Sequence, residues 1–257
     1  MRQTIRALAW ITTILWVITL ALPVTVVLSL SQLMSPNAIG FQEPSASLSG
    51  SALSLSAPFY VNNTGFYDLT DLNATVIFIS RGSMVAETST LLPIVAAGSA
   101  VNSSYATSLD LADVAARNPE LLFEDGQISL NVHASFRVAY VIRLGVSTNF
   151  TAQWQSPFYN LTAYDLRYDA ALQQLSATVN FQNHAFFAVN GSVRLELYNN
   201  RSELIGSMMR DVDVQSNMSF HESFALNVVP SMVTGNGFVR VYFAGVQIKQ
   251  QEWNLIG

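Results

Sequence analysis

The chain contains no cysteine, which removes both disulfides and thiolate metal sites and leaves the fold to be held by its core. Charge is scarce as well. Only 11 % of the 257 residues are charged, the net charge is −5, and a single lysine, Lys249, stands beside eleven arginines. No basic run or patch occurs, which argues against nucleic acid as a partner. Histidine is limited to His133, His184 and His221, none at metal-ligand spacing from another, and each is read as a surface or strand-capping residue. Asp211 and Asp213 would share a strand face, but no third carboxylate follows at calcium-loop spacing, so a solvated face is expected. Nucleophile elbows, Walker loops and dinucleotide fingerprints are missing too. Accordingly no catalytic, cofactor-binding or metal residue is assigned, and a protein that is not an enzyme is expected; a hydrolase hidden in the fold is the remote alternative.

Charge is also missing from one long stretch. No ionisable side chain lies between Arg6 and Glu43, and residues 7–30 are nearly all Leu, Ile, Val, Ala, Trp and Thr. As a helix this run reaches about 36 Å, enough for a hydrocarbon core of about 30 Å. Its thirteen Leu, Ile and Val residues favour insertion by roughly 4–8 kcal/mol. Arg2 and Arg6 precede the run and no cation follows until Arg81, so the N-terminus is expected in the cytoplasm and the bulk of the chain outside. An uncleaved signal anchor is the reading adopted, with Pro23 expected to kink it. A cleaved signal peptide and a pilin-like leader cut near Arg6-Ala7 are the alternatives.

Beyond the anchor the chain is rich in asparagine. Asn-x-Ser/Thr triplets begin at Asn62, Asn73, Asn102, Asn149, Asn160, Asn190, Asn200 and Asn217. Chance would give about three, so N-glycosylation of an extracytoplasmic body is expected. The rest is short β-patterned runs, at 53–61, 74–80, 128–141, 177–181, 192–198 and 237–246, separated by Asn- and Gly-rich breakers. Segment 38–56, rich in Ser and Ala, reads as a stalk leading into a first strand. Two segments read as helices. Asp110–Leu122 carries Leu111, Val114, Ala115 and Leu121, with Asp110 and Asp113 to cap and charge its start, and Phe224–Val233 is a shorter candidate. In the neighbouring pairs Phe66-Tyr67, Phe158-Tyr159, Phe186-Phe187 and Tyr242-Phe243, one ring is expected in the core and the other outside.

The β-region is written twice. Asn63 with Phe66-Tyr67 is echoed by Asn183 with Phe186-Phe187, Asn73 by Asn190, Asn102 by Asn217, and Gly126-Gln-Ile by Gly237-Phe-Val, in the same order. Both copies close on a tryptophan, Trp154 and Trp253. A mainly β fold follows: residues 1–36 as stub and transmembrane anchor, 37–154 as a first antiparallel β-sandwich of immunoglobulin or fibronectin type, and 155–257 as a second.

The run from Tyr159-Asn-Leu-Thr-Ala-Tyr-Asp-Leu-Arg-Tyr to Leu175-Ser-Ala-Thr-Val-Asn-Phe-Gln-Asn183 resembles the opening of a late-embryogenesis-abundant group two domain, also called the water-stress and hypersensitive-response domain. Thr64 and His184 stand where that family carries proline. The resemblance covers residues 45–257 as two tandem modules and implies a protective or structural role at the cell envelope. The rival reading is a surface-assembly subunit or adhesin pairing through exposed strand edges. The lipid bilayer, through residues 7–30, is the expected partner, with envelope proteins or glycans as further ones.

Overall fold

The computed structural model describes residues 2–33, 35, 38–42, 45–138, 140 and 142–255, so the expected boundary at 36/37 lies outside the described residues. Helix α1 (Arg2–Leu33) runs through Pro23 and is long and apolar enough to cross a membrane. Thr12, Thr13, Thr19 and Thr25 each donate to the carbonyl four residues back at 2.7–3.0 Å, so none of these four hydroxyls needs water as an acceptor. The last two turns dock on the body of the protein. Val26 and Ser29 are buried, and Leu30 and Leu33 pack on the first core.

Next come β1 (Ile39–Phe41), β2 (Ser45–Ser49), β3 (Ala52–Asn63), β4 (Leu69–Ser80), β5 (Ser83–Val95) and β6 (Ser99–Asp110). Helices α2 (Leu111–Arg117) and α3 (Glu120–Phe123) lead to β7 (Gly126–Val138) and β8 (Ile142–Trp154). Sheet β5-β4-β7-β8 faces a layer in which β3 pairs with β6 on one edge and with β1 and β2 in succession on the other. The second half repeats the plan. Strands β9 (Tyr159–Asp169), β10 (Gln174–Asn183) and β13 (Met218–Asn227) form one sheet in the order β13-β10-β9. Strands β11 (Val189–Asn199), β12 (Leu204–Val214), β14 (Asn236–Phe243) and β15 (Val246–Asn254) form the other, in the order β12-β11-β14-β15. The mainly β fold of antiparallel layers behind an apolar helix is therefore as expected.

Three local expectations fail. The stalk is instead β1, β2 and the start of β3, because Leu48 and Leu53 are driven into a core and the intervening serines need only ladder bonds. Phe224–Val233 is the end of β13 plus a 3-10 turn at Pro230–Met232; Phe224, Leu226 and Val228 bury alternately, which is the strand period. The 110–122 helix is two pieces broken before Pro119, which cannot continue α2. Its start is as expected, with Asp110 Oδ1 accepting from Ala112 N–H at 2.7 Å.

Two buried asparagines close corresponding turns. Asn63 donates to the carbonyls of Tyr67 and Val95, both at 2.9 Å, and accepts from Gly65 N–H. Asn183 does the same with Phe187 (2.8 Å), Val214 (3.0 Å) and Ala185 N–H. Of the paired aromatics, Phe186-Phe187 divides between surface and core as expected, whereas Phe158 and Phe243 are buried beside half-buried Tyr159 and Tyr242, and exposed Phe66 has only half-buried Tyr67 beside it.

There are two cores, and the second crosses residue 154. Phe158 sits edge-on to Phe181 and Phe243 at its centre, 5.3 and 5.1 Å between ring centroids. Leu48, Leu53, Leu111, Val114, Leu121 and Leu122 from the first repeat complete it. Strand β2 even adds to the second repeat's sheet, running parallel to β11 with Leu48 opposite Val189.

Candidate functional site

The two sandwiches differ at one seam. In the second, Gln251 of β15 reaches across to β9, donating to Ala163 O at 3.0 Å and accepting from Ala163 N–H at 3.4 Å, which shuts the edge. No such stitch is made among the described residues of the first. Its far edge is closed, Thr88 and Thr90 of β5 donating to Ala106 O and Ser104 O of β6, but among the described residues β8 pairs with β7 alone, and β2 is drawn away towards β11. The sheets consequently part between β8 and β3.

The gap is a cavity of about 390 Å³, within the range of small-molecule sites. Leu55 and Ala57 of β3 form one wall, Ile128, Leu130 and Val132 of β7 the other, with Phe150 and Ala152 of β8 at the mouth. Trp154 and, from the second repeat, Phe186 close one end. By the offset that relates Gly126 to Gly237, Val132 occupies the place of Phe243, which together with Phe158 fills the second sandwich. One smaller side chain, Val132 in the place of Phe243, and an unstitched edge thus leave space in one repeat that the other fills.

Among the described residues no charged side chain lines the cavity. Its polar groups are hydroxyls and amides, among them Tyr105, which stacks on Phe59 at 4.6 Å. Burial pushes the Tyr105 phenol up to about 12, so it stays a neutral donor at any physiological pH. Such a lining suits an apolar ligand with at most a neutral polar end. A charged group would be desolvated there without a counter-charge.

The residues singled out by type lie elsewhere and are not brought together. His133 is exposed on β7 with Nδ1 2.8 Å from Ser147 Oγ, and His221 is exposed on β13, 3.4 Å from the Tyr164 hydroxyl. His184 is at the junction of the repeats, its Nδ1 2.6 Å from Asp125 Oδ2 and its ring stacked on Tyr159 at 4.2 Å. Burial raises the Asp125 pKa, but hydrogen bonds from Ser156 N–H, His184 and Ser156 Oγ, with the His184 charge, outweigh it and hold the carboxyl below its usual value. Asp211 and Asp213 are both exposed on β12, and Asp213 accepts from Gln215 at 2.7 Å. Among the described residues no group of three metal-ligating side chains occurs. Seven of the sequon asparagines are exposed, and Asn62 is half-buried. The cavity residues escaped the sequence reading because they are ordinary apolar strand residues; the one available signal was the smaller Val132 opposite Phe243 in the repeat.

Fold and site define a class: an apolar N-terminal helix carrying two antiparallel β-sandwiches, one closed and one open. No protein-family model matches the chain, and no curated protein matches it. Solved structures similar to it include the red sea bream transglutaminase, at 14 % identity and TM-score 0.31 over 85 % of this chain and 30 % of that one. A β-glucuronidase of glycoside hydrolase family 2 is similar at 8 % identity and TM-score 0.31, over 77 % of this chain and 23 % of that one. A tetra-tandem repeat from the extending region of a large adhesion protein is similar at 17 % identity and TM-score 0.29, over 85 % and 50 %. The chain thus spans half or less of each of these structures.

Proposed function

We propose that this is a non-catalytic protein, anchored by α1 with its N-terminus in the cytoplasm, whose extracytoplasmic first sandwich holds an apolar, chain-like ligand. The observation that carries the reading is the apolar cavity walled by Leu55, Ala57 and Leu130, at the level where Phe243 packs on Phe158 in the second repeat. The packing of Ser29, Leu30 and Leu33 against the first sandwich supports α1 as a retained part of the protein rather than a removed leader. The exposed sequon asparagines support glycosylation, and the resemblance to water-stress domains supports a protective role at the envelope.

The test is photolabelling of the full chain in phospholipid nanodiscs with a diazirine-bearing fatty acid. Adducts are expected on peptides containing Leu55, Leu130 or Phe150, and Ala57→Phe should abolish them by filling the space. Adducts confined to α1 peptides would overturn the reading. A second reading, assembly through strand edges, is favoured by β8, a 13-residue strand whose ladder among the described residues is with β7 and which is exposed along most of its length. Self-association of the full chain that is lost on inserting proline at Val146 would favour it.

A further inference from the structure

Three connections gather at one end of the first sandwich: residues 64–68 between β3 and β4, 96–98 between β5 and β6, and Tyr140 between β7 and β8. Asp68 ties them together, accepting from Ala97 N–H at 2.9 Å and from the Tyr140 hydroxyl at 3.2 Å. Helix α1 docks at the same end. Ser29 Oγ accepts from Phe66 N–H at 3.1 Å, and Thr25 Oγ1 lies 2.7 Å from the Tyr67 hydroxyl. Turn tips are ordinarily polar, yet here Phe66 and Tyr140, with Ile94 at the end of β5, are each more than half exposed. Ile142 is exposed beside them, and cations stand one step behind: Arg143 lies across the ladder from Arg137, which pairs with Asp71 at 3.3 Å.

The length of α1 points the same way. Phe66 is level with Ser29, and from Trp10 to Ser29 the helix rises about 28 Å, close to the hydrocarbon thickness of about 30 Å. Aromatic rings favour both membrane interfaces. Trp10, 70 % exposed, supplies one near the start of the helix. At the other face the helix offers Ser29, Leu30 and Ser31 but no ring, and the sandwich supplies Phe66, Tyr67 and Tyr140 at that level.

We propose that this end of the first sandwich seats on the outer face of the bilayer that α1 crosses, with Phe66 and Tyr140 in the interfacial layer and Arg143 among the lipid phosphates. The inference rests on reading α1 as a retained membrane helix. Seating fixes the upright stance of the body and sets the cavity above the membrane. Leu130 is eight residues up β7 from Val138, about 27 Å by strand rise.

The absence of cysteine permits a direct test. Single variants Leu15→Cys, Phe66→Cys, Tyr140→Cys and Leu172→Cys of the full chain, each carrying a nitroxide, are reconstituted in phosphatidylcholine vesicles. Relaxation by oxygen is then compared with relaxation by a water-soluble nickel chelate. The oxygen-to-nickel ratio at Phe66 and Tyr140 should exceed that at Leu172, in the β9–β10 turn, several-fold and approach that at Leu15. Lipid-like values at Leu15 with Phe66 and Tyr140 equal to Leu172 would overturn the seating alone. Water-like values at Leu15 would overturn the membrane helix and the seating together. Thermal midpoints matching that of Leu172→Cys establish that the Phe66 and Tyr140 variants are folded.

Discussion

Asn63 and Asn183 show how much of a turn can hang on one amide. Each is fully buried, and its NH2 group serves at least two backbone carbonyls where the chain leaves one sheet for the other. Asn183→Ala should therefore lower stability by about 3 kcal/mol, since at least two buried carbonyls lose their donor. Asn183→Asp should cost at least as much despite its near-identical shape, because a carboxylate accepts only and would face Phe187 O and Val214 O. Urea unfolding of the two variants checks the order; an Asp variant close to wild type would show that shape rather than donation holds the turn. This pair was legible as a repeat anchor in the sequence, although its bonding was not. A polar residue at a strand end reads as a breaker whether it faces water or backbone.

At the scale of elements, legibility followed the strength of alternation. Strands β10 and β14 were plain, with Leu175, Ala177, Val179 and Phe181, and Val239, Val241 and Phe243, on their inner faces. Strands β2, β6 and β8 were not, because serine and threonine fill positions that only β-ladder pairing makes sense of. The 224–233 segment misled for another reason: Phe224 and Val228 are four apart, which fits a helix as well as a strand. Nor could the docking of α1 be read, since it depends on Gly65, thirty-odd residues away. A Cβ there would overlap Ser29 Oγ, so the helix approaches only because glycine leaves room. Gly65→Ala should push α1 off and expose the Phe66 amide, raising hydrogen exchange in peptide 64–68 several-fold. The double variant with Ser29→Ala, which removes the overlapping oxygen, should recover part of the packing between α1 and the sandwich. Unchanged exchange in Gly65→Ala would mean that the helix is not held there.

For the whole molecule, the duplicated plan suggests two separable halves, yet the second core draws side chains from both. Leu122 of α3 is fully buried in the core of the second sandwich, and Phe158 N–H donates to its carbonyl at 2.9 Å. Leu122→Ala should thus destabilise the second sandwich by about 2–5 kcal/mol although it lies in the first repeat. A fragment of residues 155–257 should melt well below the full chain, because β2, α2 and α3 no longer cover its core; equal midpoints would show the halves to be independent. The parallel contact of Leu48 with Val189 also bears on synthesis. At about 5–20 residues per second, the roughly 140 residues between them take about 7–30 s to emerge. Through that interval the nascent first half must stand outside the ribosome with Leu48 and one flank of its helices bare. The last half to be made is the one that shields the first, so a chaperone or a glycan has its longest opportunity to act before the chain is finished.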